Sequence, residues 1–233
     1  MALAAVLAFA GFAALGTWQI ERRAWKLALI ARVEQRVHAP PMAAPGPDRW
    51  TRVNAADDEY RHIQASGRYL RAADSFVQAV TERGAGFWLM TPLRQTDGSV
   101  VLVNRGFVAS DRSAPTTGEA AAPVTVTGLL RITEPGGGFL RHNDPTANRW
   151  YSRDVQAIAA ARGLGPVAPY FIDADATPGD NGAGPVGGLT VISFHNNHLV
   201  YAITWYVLAV MVAAAAWHVA RTERKGGDVG HTP

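Results

Sequence analysis

Two uncharged apolar tracts at opposite ends of the chain constrain it more than any other feature. From Leu199 to Ala220 there is no Asp, Glu, Lys or Arg, and a second uncharged tract runs from Ala2 to Ile20. A helix of about 20 apolar residues crosses the hydrocarbon of a bilayer, and backbone polar groups in lipid must be satisfied within the segment, so both tracts read as membrane-spanning helices. Charged clusters close them: Glu21-Arg22-Arg23 after the first and Arg221-Thr222-Glu223-Arg224-Lys225 after the second. The competing reading of the first tract is a signal peptide, for which Ala8-Phe9-Ala10 resembles a cleavage site. No basic stretch precedes the tract and its apolar character continues to Trp18, which favours a retained span. Trp18 and Trp25 among Arg22, Arg23 and Lys26 suit the headgroup zone. At about 100° per residue, His198, Tyr201, Ala202, Trp205, Ala209, Val212 and Ala216 share one helix face. The small residues Ala4/Ala8 and Ala10/Ala14 of the first span are expected to pack on that alanine strip.

Between the spans the pattern changes to short strands. Candidates are 62–69, 75–80, 87–94, 100–108, 124–132 and 169–173; the turn signal Thr96-Asp97-Gly98 joins the third and fourth as a hairpin. Trp150 to Ala161 has helical spacing and Gly163 ends it. A helical stretch continues from the first span to about Val37, and Pro178 to Gly188 reads as a Gly/Pro linker. The expected fold is a membrane protein of α+β class. Two transmembrane helices flank an antiparallel, β-rich, barrel-like extracytoplasmic domain with one helix. The expected divisions are 1–20 first span, 21–195 β-rich domain with an interfacial helix, 196–220 second span and 221–233 cytoplasmic tail.

Composition and motifs exclude more than they include. With 22 Lys+Arg against 19 Asp+Glu the net charge is only +3, and no basic stripe sits on a nucleic-acid reader module. The absence of cysteine removes disulfides, thiolate metal sites and cysteine nucleophiles, and four scattered methionines make no copper-handling cluster. Gly182-Ala183-Gly184-Pro185-Val186-Gly187 matches a dinucleotide fingerprint in letters alone; it follows no strand and contains a proline. No nucleophile elbow, phosphate loop or paired catalytic carboxylates stand out, so the chain is not expected to be an enzyme. His195-Asn196-Asn197-His198 stays open to three readings. It is a polar helix start capped by Asn196 or Asn197, an incomplete two-histidine metal site, or an axial haem ligand beside the aromatic rings of Tyr201 and Trp205.

Several motifs in fixed order resemble one family. These are Gly16-Thr17-Trp18-Gln19 with Arg22 and Trp25-Lys26, then Thr91-Pro92-Leu93, then Val101-Leu102-Val103-Asn104-Arg105-Gly106. Last come Asn196-Asn197-His198-Leu199 with Tyr201-Ala202 and Thr204-Trp205. Together they are similar to the surfeit locus protein 1 family, cytochrome c oxidase assembly factors also called Shy proteins in yeast. Phe107 stands where that family usually has Trp, and Ala109-Ser110 where it usually has proline. The resemblance implies a two-span membrane protein with its β-rich domain on the outer face. It also implies binding of haem a, with His198 as ligand to the iron and Tyr201 and Trp205 beside it, and delivery to oxidase subunit I. The implied partners are subunit I, other oxidase assembly factors, the haem a synthesis machinery and the lipid bilayer, with no nucleic acid. A chain that starts directly on its span is expected in a bacterial plasma membrane, with both termini cytoplasmic. Arg221, Arg224 and Lys225 favour a cytoplasmic tail, and the intervening loop is long enough to translocate despite Arg22, Arg23 and Lys26. The alternative from a different class is a scaffold that steadies oxidase subunits without holding haem.

Overall fold

The computed structural model describes residues 2–110, 122–176, 184–190, 192, 194 and 196–227, without the side chains of 224–227. The chain divides into two compact units, Met1–Arg32 with Ile192–Pro233, and Val33–Val191.

The first unit is built on α1 (Ala2–Val37) and α4 (His198–Gly227), both long and apolar enough to cross a membrane. On α4, Ala202 and Ala209 are buried and His198, Trp205, Val212 and Ala216 half-buried, while most of their neighbours are exposed. The spacing alternates four and three residues, the 3.5-residue repeat of a helix that keeps one seam against a partner. Within residues 2–20 of α1 the covered positions are Ala5, Phe12, Ala13, Gly16 and Gln19. Ala4, Ala8, Ala10 and Ala14, expected at this seam, are exposed. Other small residues, Ala5, Ala13 and Gly16, take the contact face, and the pairing of Phe12 with Trp205 and of Gln19 with His198 fixes that rotation of the helix. The helix also runs on past Ile20 without a break, so span and interfacial stretch are one element.

The second unit is a sheet closed on itself. Its strands are β1 (Met42–Ala43), β2 (His62–Tyr69), β3 (Ser75–Thr81), β4 (Gly84–Gln95), β5 (Val100–Ala109), β6 (Val124–Ile132) and β7 (Val167–Ala174). They lie in the order β1-β2-β6-β7-β5-β4-β3, and a further pairing of β2 with β4 closes a ring of β2, β6, β7, β5 and β4. Closure is tight at Gly67, which pairs with Val124 on one side and Gln95 on the other. A Cβ there would lie 2.2 Å from the Arg94 carbonyl oxygen, so only glycine fits. Most pairs are antiparallel as expected; β5 with β7 and β1 with β2 are parallel.

Two cores flank the sheet. Ile63, Leu93, Val101, Val103, Tyr170 and Ile172 fill the barrel, whereas Leu102, Phe171, Val77 and Trp150 pack outside it with Val155 and Ile158 of α3 (Val155–Ala161). β5 and β7 are therefore buried on both faces, which is why their sequences read as nearly continuous apolar runs. The predicted helix at 150–161 begins only at Val155. Asp154 caps it by accepting from the Ala157 N–H at 3.1 Å, and Trp150 instead lies beside Val77 of β3. The short α2 (Ala55–Asp58), capped by Asn54, was not legible in the periodicity. Residues 178–183 of the expected linker lie outside the described residues. Its remainder is docked, because Val186 exchanges both backbone hydrogen bonds with Phe107 at 2.9 Å.

Candidate functional site

In the first unit two sequence motifs close on one another across 179 residues of chain. The His198 ring nitrogen Nδ1 lies 2.7 Å from Gln19 Oε1. An amide oxygen only accepts, so Nδ1 carries the proton and the Nε2 lone pair is left for another partner. Three residues before Gln19, Gly16 faces Tyr206: a Cβ at Gly16 would sit 2.9 Å from the Tyr206 ring, so the ring rests directly on the α1 backbone. Thr17 donates its hydroxyl hydrogen to the Ala13 carbonyl at 3.0 Å, which makes the Tyr206 hydroxyl the donor in their 3.0 Å contact. One turn further, Phe12 stacks on Trp205 with centroids 5.7 Å apart and an interplanar angle of 24°. Later residues of α1 thus meet earlier residues of α4, and the helices run antiparallel. The letters of Gly16-Thr17-Trp18-Gln19 acquire separate reasons: Gly16 for clearance, Thr17 and Gln19 for polar partners, and an exposed Trp18 on the outside.

Of the three residues expected at the haem site, His198 is half-buried at the seam and Trp205 is committed to Phe12. Tyr201 stands 55% exposed on the flank. The Tyr201 N–H bonds the Asn197 carbonyl at 3.2 Å, so Asn197 occupies the cap position of α4. The Asn196 side-chain oxygen is buried with no hydrogen-bond partner among the described residues. His195 lies outside the described residues, so the two-histidine reading cannot draw on it. Among the described residues no cluster of three or more His, Asp or Glu could hold a metal ion. The site therefore offers a single oriented imidazole rather than a set of ligands for a multidentate ion. Sequence reasoning found His198 but missed Gln19, Phe12 and Tyr206 as its supports; the Gly-Thr-Trp-Gln motif was the available signal.

The second unit carries its own polar centre. Asp173 on β7, 4% exposed at its side chain, accepts from Asn104 at 2.8 Å, Arg131 at 2.9 Å, Arg153 at 3.2 Å and Thr190 at 3.0 Å. The Asn104 oxygen in turn accepts from the Gly106 N–H at 3.1 Å, which explains two letters of Asn104-Arg105-Gly106. Arg131 also reaches Glu59, and Arg153 binds Glu134 with two nitrogens. Burial disfavours the Arg131 cation, but Asp173, Tyr60 and Glu59 outweigh it and hold the guanidinium more firmly protonated than usual. Two guanidinium groups against three carboxylates leave no spare positive charge. This centre floors a cleft of about 430 Å³ walled by Trp88, Arg83 and Gly187-Gly188. Sequence reasoning, which found no paired carboxylates, did not single out Asp173.

The fold and the two sites define a class: a membrane protein in which two long apolar helices flank a closed β-barrel unit. Residues 6–210 match the model of the SURF1 family. Surfeit locus protein 1 of Rattus norvegicus is 36% identical over 218 residues, covering 83% of this chain and 67% of that one. The Homo sapiens protein of the same name is 35% identical over 84% of this chain and 69% of its own length. A SURF1-like protein of Monosiga brevicollis is 36% identical over 92% and 84%. The chain belongs to the SURF1 family, a family generally known as cytochrome c oxidase assembly factors.

Proposed function

We propose that this chain is an assembly factor for a haem–copper cytochrome c oxidase, holding haem a at His198 and delivering it to oxidase subunit I. The hydrogen bond between His198 and Gln19 carries the reading. A histidine that ligates iron through one nitrogen commonly gives its other N–H to an oxygen acceptor, which fixes the tautomer and the ring orientation. His198 would hold haem a, which when bound would supply an iron for the imidazole nitrogen to ligate. Gln19 holds the ring; Phe12 and Trp205 stiffen the seam beneath it; Tyr201 offers an aromatic side on the exposed flank. A carrier must release its cargo, and one protein ligand on a helix start holds less firmly than two. The expected setting is a bacterial plasma membrane with the barrel unit outside and both termini cytoplasmic. The expected partners there are other oxidase assembly factors and the haem a synthesis machinery.

The cleft of the barrel unit favours a second reading, a scaffold that steadies oxidase subunits through that unit without holding haem. Cells lacking this protein, supplied with wild type or His198→Ala, separate the two. The carrier reading expects the variant to leave oxidase deficient in haem a with subunit I still made. Full haem a occupancy with the variant supports the scaffold.

A further inference from the structure

We propose that the turn at Gly138–Arg141 of the barrel unit is a lipid-contacting tip, with Phe139 and Leu140 entering the interfacial layer of a bilayer. Phe139 is 92% and Leu140 87% exposed, the two most exposed large hydrophobic residues among those described, the spans included. The turn is a built object. Gly138 and Arg141 exchange backbone hydrogen bonds at 2.9 and 3.2 Å, Gly137 N–H donates to Ser152 at 3.0 Å, and Arg141 donates to Gln78 at 2.8 Å while lying over the Tyr151 ring. Leu140 is held at φ 56°, a backbone region that favours glycine. A leucine kept there, against local preference and with nothing to pack on, has no role in the barrel's own core.

Lipid is the occupant these observations favour. The unit is joined at both ends, residues 33 and 191, to segments that carry the spans, so a bilayer is always at high effective concentration. Cationic Arg141 and the exposed His142 directly follow the apolar pair, the order that places rings and aliphatic groups among acyl chains and charge among headgroups. The exposed Arg149 nearby is paired with Asp144 at 2.9 Å. A two-residue tip buries far less than the roughly 1,200 Å² that a stable protein interface needs, whereas lipid requires no matching pocket.

The chain has no cysteine, so Phe139→Cys in the full-length protein carries the only thiol. It is labelled with an environment-sensitive fluorophore and placed in nanodiscs of mixed zwitterionic and anionic lipid; Thr96→Cys, at an exposed polar turn, is the solvent reference. Both sites are exposed, and circular dichroism checks that each labelled protein is folded. The expected result is blue-shifted emission at 139, quenched by lipids bearing a shallow nitroxide, with water-like, unquenched emission at 96. Water-like, unquenched emission at 139 overturns the proposal, as does shielding that appears only when another membrane protein is added. The outcome is independent of whether His198 holds haem.

Discussion

Asp74 shows how a single buried group sets a pH dependence. Both of its carboxylate oxygens are buried and, among the described residues, neither is fully satisfied by a hydrogen bond. Burial pushes its pKa up; the Thr91 hydroxyl and the charges of Arg105, Arg71 and Arg162 pull the other way without cancelling it. A carboxyl whose folded value is raised contributes stability that is fully present below its ordinary value of 3.8 and lost as pH rises through the raised one. Asp74→Asn keeps the neutral form throughout. Thermal midpoints taken between about pH 4 and 7 are expected to show the variant gaining on wild type as pH rises; a constant gap contradicts this account. Asp173 is instead the shared counter-ion of two guanidinium groups. Asp173→Asn leaves Arg131 and Arg153, both mostly covered, short of their shared counter-ion. The cost of breaking such a buried pair is about 3–5 kcal/mol. Against a usual stability of about 5–15 kcal/mol, denaturant titration should show a large loss. A loss below about 1 kcal/mol, the range of an exposed ion pair, would mean the centre is not structural.

At the scale of elements, the test is the seam between α1 and α4. A side chain at Gly16 must displace the Tyr206 ring, so Gly16→Leu is expected to part the helices. Cysteines introduced at Phe12 and Trp205 report this: oxidative cross-linking in the otherwise wild-type chain, and its loss when Gly16→Leu is added. Undiminished cross-linking would show that the ring contact does not set the seam. The sequence disclosed one half of this arrangement. The covered positions of α4 could be read as a repeating face because Ala202, Ala209 and Ala216 stand out within a polar-mouthed apolar helix. Their partners could not, because alanines occur all around α1 and only the Tyr206 ring and the Gln19 amide choose among its faces. The strands were legible from their patterns: β6 is rich in Val, Thr and Ile, and both β2 and β6 fall within the expected bounds, 62–69 and 124–132. Their closure into a ring was not, since it depends on β2 passing from β6 to β4 at Gly67. The Asp173 centre draws on five separate segments, and no local pattern joins them.

For the whole molecule, each unit has a physical logic of its own. The centre beneath the cleft of the barrel unit satisfies its charges internally, through Asp173, Arg131, Arg153, Glu59 and Glu134. The helical unit holds the His198 imidazole by Nδ1, with no partner for Nε2 among the described residues. That difference in satisfaction is why the account assigns haem a to His198 rather than to the cleft. His198→Ala removes a half-buried side chain at a helix start while keeping the Phe12–Trp205 and Thr17–Tyr206 contacts, so the protein is expected to remain folded and inserted. The most direct test is the visible absorption spectrum of the full-length protein, purified in detergent from cells that make haem a. The account predicts haem bands with the wild type and their loss in an equally folded His198→Ala protein; equal bands in both would contradict it.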